Sequence, residues 1–190
     1  MIYPERITKF NRTENELQEF FLFCVIVAGK NALVQAKKLE AFLQPAWYKN
    51  MTPFDYINYL TKRGELGIML REIKMGQYKR IEFIFKRSTR LNLKECTVEQ
   101  LERIPGIGPK TSRFFILHSR KNQKLAVLDT HVLKWLRETL DLENVPISTP
   151  QSKIRYKELE QAFINFAESS GMTVSELDLN IWNKYSSKAA

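Results

Sequence analysis

The sequence predicts an all-α fold, and three observations carry that expectation. No stretch alternates apolar and polar residues as a half-buried strand does; apolar residues recur instead at i, i+3, i+4 and i+7. Thr13, Thr52, Thr97 and Asp129 stand ahead of apolar runs, where helix N-caps belong. Gly29, Pro45 and Pro53 punctuate the runs. The 190 residues, 44% of them hydrophobic, suffice for one domain with a true core or two small lobes sharing one.

Taken in order, the first helix follows Thr13, with Glu16 completing a capping box. It buries Leu17, Phe20, Phe21, Cys24, Val25 and Ala28, and Gly29 closes it. A second helix covers residues 32–42 and ends by Pro45. Pro53 suits the first turn of a third, through Leu60. Residues 64–75 give only a short, unresolved pattern. Residues 77–90 read as a helix with Ile81, Ile84 and Phe85 inward and Lys79, Arg80, Lys86, Arg87 and Arg90 on a solvated outer face that borders phosphates if nucleic acid binds. A capping box from Thr97 to Gln100 opens a short helix over 97–104, and a helix over 109–119 follows. After a polar turn at 121–124, Asp129 caps a helix to about Leu140 that buries Val132, Leu133, Leu136 and Leu140. A Pro/Ser/Thr loop at 144–150 precedes helices over 154–167 and 174–185.

Composition narrows the partners. Lys and Arg number 30 against 21 Asp and Glu, a net charge of +9 that favours a polyanion such as nucleic acid. Cys24 and Cys96 are too few for a structural zinc or iron–sulfur site and suit a reducing compartment. The longest apolar run, residues 20–28, is too short to span a bilayer and follows Glu14, Glu16 and Glu19 rather than basic residues. The expectation is a cytoplasmic, nucleoid-associated or nuclear monomer with no membrane partner.

Helix 97–104, the turn Pro105-Gly106-Ile107-Gly108 and helix 109–119 form a helix–hairpin–helix. Gly106 and Gly108 permit positive φ and close approach of backbone to a ligand. Amide N–H groups at the start of the second helix then face a phosphate oxygen, aided by the helix dipole. Such contacts hold DNA without reading its sequence. Lys110 alone is ambiguous, since a hairpin lysine also serves as a plain phosphate contact. Asp129 is a helix cap at the least. A carboxylate at a helix start is also held rigidly, which suits a catalytic group.

Ile-Pro-Gly-Ile-Gly-Pro-Lys-Thr at 104–111 and Leu-Asp-Thr-His-Val at 128–132 together resemble the helix–hairpin–helix (HhH-GPD) DNA glycosylase superfamily. Residues 126–129 and 176–182 look most like its compact archaeal-type 8-oxoguanine DNA glycosylase/AP lyases. The resemblance implies a single two-lobed helical domain over 1–190 with a DNA-binding cleft between lobes. One lobe spans about 30–118 and holds the hairpin at 97–119; the other joins 1–29 to 119–190. It implies Lys110 as the amine that attacks sugar C1′ and forms a Schiff base, and Asp129 as the carboxylate that assists base departure. Gly106, Gly108, Lys110, Thr111 and His131 would contact DNA. The backbone carbonyls of Glu102, Ile104 and Ile107 match positions that bind a monovalent cation; no other cofactor is implied. The turn Gly29-Lys30-Asn31 is a candidate wedge filling the gap left by a flipped base, or an ordinary helix–helix turn. Trp182 is a candidate wall of the base pocket, or core. In some compact relatives the extreme C-terminus reads the base; residues 186–190 do not match that pattern.

The partner implied is damaged double-stranded DNA, and the activity a base-excision repair glycosylase with AP lyase action on 8-oxoguanine. Two alternatives stay open on the residues alone. One is a monofunctional glycosylase for another damaged base, with Lys110 on a phosphate. The other is a non-catalytic hairpin module, with Asp129 a structural cap.

Overall fold

A computed structural model describes residues 2–140, 142 and 144–186. Among the described residues it is helical without strands, with a 3-10 turn at Pro4–Arg6 and ten α-helices. These are α1 (Glu14–Ile26), α2 (Ala32–Tyr48), α3 (Pro53–Lys62), α4 (Leu66–Glu72), α5 (Tyr78–Ser88), α6 (Val98–Glu102), α7 (Pro109–Ser119), α8 (Thr130–Thr139), α9 (Lys153–Ser169) and α10 (Val174–Ser186). No described helix is long and apolar enough to cross a membrane.

The chain divides into two units. The first holds Asn11–Phe115 with the residues up to Pro4; the second holds Glu5–Phe10 and everything from Ile116 on. In the first unit α1 is the central element, packing on α2, α3 and α5. Residues 17–26 are all buried. A helix apolar on every side belongs inside, not on a surface. Phe21 meets Phe115 edge-on at 5.2 Å, and Phe42 lies 5.8 Å from Phe85. Each such ring contributes roughly 1.5–3 kcal/mol by leaving water. The buried amide of Gln18 accepts the Phe54 N–H at 3.0 Å, satisfying an end group of α3.

The second unit packs α10 against α8 and α9. Trp135 of α8 sits edge-on to Phe166 at 4.8 Å and Phe163 at 5.6 Å, both on α9. His118 is fully buried, with Thr8 Oγ1 2.7 Å from Nδ1 and Asp178 Oδ2 3.0 Å from Nε2. The Lys9 N–H donates to the His118 carbonyl at 3.1 Å. These bonds draw residues 5–10 into this unit, far in sequence from its helices.

Five sequence expectations change. α1 ends at Ile26 with Val27 as its C-cap, so Gly29 does not close it and Ala28 is only half-buried. Residues 11–29 belong to the first unit, not with 119–190, because α1 buries its apolar sides against α2, α3 and α5. The second helix does not stop before Pro45 but runs through it to Tyr48. An interior proline costs about 3 kcal/mol. Here Leu43 and Ala46 are fully buried on either side, which holds the last turn in place. The unresolved stretch after Gly64 contains α4, anchored by buried Leu66 and Leu70. Leu140 is the C-cap of α8 and only half-buried, so the buried stripe ends at Leu136.

Candidate active site

α6, the hairpin turn and α7 as far as Phe115 lie in the first unit. The Thr97 hydroxyl accepts the Gln100 N–H at 3.2 Å, and the Gln100 side chain accepts the Thr97 N–H at 2.9 Å, so the expected capping box forms. The turn is closed by Ile104 N–H to Leu101 O and Ile107 N–H to Ile104 O, both 3.0 Å. Ile104 and Ile107 are buried, which anchors the turn on the rest of the unit. One oxygen of Glu102 accepts from Ser112 Oγ at 2.9 Å and Arg113 Nη1 at 2.8 Å, linking α6 to the first turns of α7.

The two glycines differ. Gly106 has φ +96°, and a Cβ there would lie 3.1 Å from Ile84 Cδ1 and 3.2 Å from Arg80 Cγ. Gly108 does not have positive φ, contrary to expectation, and a Cβ there would meet nothing within 4 Å. Gly106 is thus required by the turn itself. Gly108 leaves an open surface beside the start of α7. The first α7 backbone bond is Ser112 N–H to Gly108 O, and among the described residues Gly108, Lys110 and Thr111 N–H have no backbone acceptor. Those donors are the anion-binding groups of a helix N-terminus. Thr111 is buried as a residue, with 7% of its surface exposed.

Lys110, the second residue of α7, is half-buried, and no described residue pairs with it. Arg113 is tied to Glu102; the Arg103 side chain likewise has no described hydrogen bond or ion pair, but it is exposed, whereas Lys110 is half-buried.

Asp129 lies in the second unit, where a non-helical segment leads into α8. The backbone groups of that segment find their partners in side chains. Ala126 N–H donates to Glu160 Oε1 at 2.9 Å, the Tyr156 hydroxyl donates to Ala126 O at 2.8 Å and accepts from Leu128 N–H at 3.3 Å, and Thr149 Oγ1 donates to Leu128 O at 2.8 Å. Ala126 and Leu128 are fully buried. Asp129 is therefore delivered by a pinned segment. Its Oδ1 accepts the N–H groups of His131 and Val132, each at 2.9 Å, which is the N-cap of α8. Among the described residues nothing bonds Oδ2. One carboxylate oxygen fixes the group and the other is available for chemistry.

Also in the second unit, the His131 ring stacks on Tyr185 with centroids 6.1 Å apart and planes 11° off parallel. The Tyr185 hydroxyl donates to Glu138 at 2.6 Å. Desolvation, and then the bond to Glu138, push the phenol up to about 12. Lys134 and Lys184 each hold an ammonium near the Tyr185 ring, at 5.0 and 5.4 Å. Trp182 is half-buried on α10, so neither pure core nor fully exposed.

The turn at 29–31 belongs to the first unit. Gly29 has φ +70°, and Asn31 Oδ1 accepts the Val34 N–H at 3.0 Å as the N-cap of α2. Lys30 Nζ donates to Met75 O at 2.7 Å, and burial, with Arg80 and Lys38 nearby, lowers its pKa. Both side chains thus have structural bonds. Residues 187–190, most of the tail considered for base reading, lie outside the described residues.

Several residues of this framework were missed or misread. Arg80, assigned from spacing to a solvated face, bonds the hairpin itself at Gly106 O. Glu160 carried a signal: it shares the apolar phase of Tyr156, Leu159 and Phe163, where a carboxylate needs a partner. Tyr185 carried none. Among the described residues no group of three or more His, Cys, Asp or Glu could hold a metal.

The family described as 8-oxoguanine DNA glycosylase matches residues 3–172. The 8-oxoguanine DNA glycosylase/AP lyase of Methanocaldococcus jannaschii is 30% identical, over 95% of this chain and 87% of its own. The protein of the same name from Metallosphaera sedula is 32% identical over 48% of this chain and 43% of its own. The solved Methanocaldococcus jannaschii 8-oxoguanine glycosylase/lyase in complex with 15mer DNA containing 8-oxoguanine shares the fold with a TM-score of 0.69 at 22% identity, covering 96% of this chain and 88% of that one. The 8-oxoguanine DNA glycosylase of Thermotoga maritima gives 0.66 at 21% identity, over 96% and 86%.

Proposed function

This chain belongs to the helix–hairpin–helix 8-oxoguanine DNA glycosylase family, and from that membership we propose that it excises 8-oxoguanine from double-stranded DNA and then cuts the strand, with Lys110 and Asp129 carrying the chemistry. The observation that supports these roles is the pair of uncommitted atoms: Lys110 Nζ with no described partner, and Asp129 Oδ2 free while Oδ1 caps α8.

The neutral amine of Lys110 attacks C1′ of the damaged nucleotide. The glycosidic bond breaks, its electron pair leaves with the base, and the base takes up a proton. A developing oxocarbenium-like sugar is stabilised by the carboxylate of Asp129. The C1′–Nζ adduct opens the sugar ring to a protonated imine. Loss of a C2′ proton then expels the 3′ phosphate by β-elimination, which is the lyase step.

The remaining roles follow the same reading. Gly108, Lys110 and Thr111 N–H receive a phosphate oxygen; His131, on its Tyr185 platform, contacts another. The turn Gly29-Lys30-Asn31 fills the gap left by the extruded base, and Trp182 lines the base site. Glu102 O and Ile107 O have no described backbone donor, and Ile104 O accepts only one. Such carbonyls fit a monovalent cation, which would add positive charge beside the phosphate. The protein acts as a monomer.

The test is a panel of duplexes bearing one lesion each: 8-oxoguanine, a methylated base, uracil or an abasic site. Base release and strand cutting at 8-oxoguanine, with cutting at the abasic site, is expected. Release confined to another lesion, or none at all, overturns the assignment.

A further inference from the structure

We propose that Arg80 is a positioning residue that locks the hairpin and the α1–α2 turn into one DNA-contacting surface. The inference rests on the hairpin's DNA-binding role given above. All the groups involved lie in the first unit.

The guanidinium of Arg80 makes four hydrogen bonds. Nε and Nη2 donate to the single carbonyl of Gly106, at 3.0 and 2.8 Å. Nη1 donates to Val25 O at 3.2 Å and to Gln77 Oε1 at 2.7 Å. Gly106 is the positive-φ residue of the hairpin, and Val25 is in the last turn of α1, just before the 27–31 turn. One planar cation therefore bridges the hairpin turn and the end of α1. The last turn of α1 contains no basic residue, so Arg80 supplies the cation that a helix C-terminus favours.

The surroundings hold this cation in place. Gln77 adopts φ +48°, a conformation that strains a non-glycine residue, and as N-cap of α5 it makes no side-chain cap bond. Its amide goes to Arg80 instead. The same loop is tethered to the 27–31 turn by Lys30 Nζ on Met75 O at 2.7 Å and to α2 by Lys38 Nζ on Lys74 O at 2.5 Å. Among the described residues no carboxylate pairs with Arg80, Lys30 or Lys38. Three cations are thus gathered on neutral carbonyls and an amide, an arrangement that repels itself and that a phosphate would relieve.

Lysine cannot replace this arginine, because an ammonium cannot share two parallel bonds with one carbonyl while bridging to another. Charge and positioning can therefore be separated. The probe is a duplex with a stable abasic analogue, its Kd measured from low to moderate salt for wild type, Arg80→Lys and Gln77→Gly. Gln77→Gly relieves the positive φ, so it folds while removing one guanidinium partner.

Arg80→Lys should weaken binding by about tenfold or more, with the slope of log Kd against log salt unchanged, since no cation is lost. Gln77→Gly should weaken it in the same direction, by about threefold, without a fall in Tm. Borohydride trapping at saturating abasic DNA should reach the wild-type extent in both, placing the loss in Kd. Wild-type affinity for Arg80→Lys, or weakened binding only where Tm falls, overturns the proposal. Failure of wild type itself to bind the duplex would instead overturn the functional reading beneath it.

Discussion

Replacing Asp129 by Asn and by Ala separates its two jobs. Oδ1 accepts two α8 N–H groups at 2.9 Å each, and an Asn carbonyl oxygen can do the same. Asn and Asp are comparable N-caps, whereas Ala loses about 1 kcal/mol. For a chain of 190 residues that loss lowers Tm by roughly 2–4 °C. Asp129→Asn should therefore melt close to wild type, and Asp129→Ala measurably lower. Catalysis divides the other way. Both variants remove the charge opposite the developing sugar cation, and losing such a stabilising group costs ~100- to 1,000-fold in rate. The assay is single-turnover release of 8-oxoguanine from a duplex, well below either Tm. If Asp129→Asn released the base within about threefold of wild type, the catalytic reading would be wrong and the residue would be a cap alone.

Two further outcomes follow from the geometry. Gly106→Ala should destabilise by about 1–3 kcal/mol, because φ is +96° and the new Cβ meets Ile84 and Arg80; Gly108→Ala, with open space around it, should melt like wild type yet bind DNA more weakly. Melting curves with DNA titrations check both. Tyr185 has its pKa raised to about 12 from 10.0, so the stability it contributes is whole below pH 10 and lost as pH rises toward 12. A Tyr185→Phe protein should lack that alkaline loss, and its spectrophotometric titration should lack a phenolate appearing near pH 12.

Much of this architecture was legible because its signals are local. The caps at Thr13, Thr97 and Asp129 act over two or three residues, and all three form as read. The inward face of α5 follows from Ile81, Ile84 and Phe85. What stayed hidden depends on distant partners. Arg80 lies 26 residues from Gly106 and 55 from Val25, and nothing in its own helix marks it. Glu160 reaches Ala126 across 34 residues. Pro45 was misread because the burial of Leu43 and Ala46 outweighs a local breaker. α1 fell in the other unit from the one expected because a helix buried on every side gives no phase from which to choose its neighbours.

The most direct test of the account is borohydride trapping of the protein on an abasic or 8-oxoguanine duplex, wild type against Lys110→Gln. Reduction of the imine should leave a covalent protein–DNA species with wild type and none with Lys110→Gln, although the variant still binds the duplex. A trapped species of equal yield with Lys110→Gln, or none with wild type that releases the base, would contradict it.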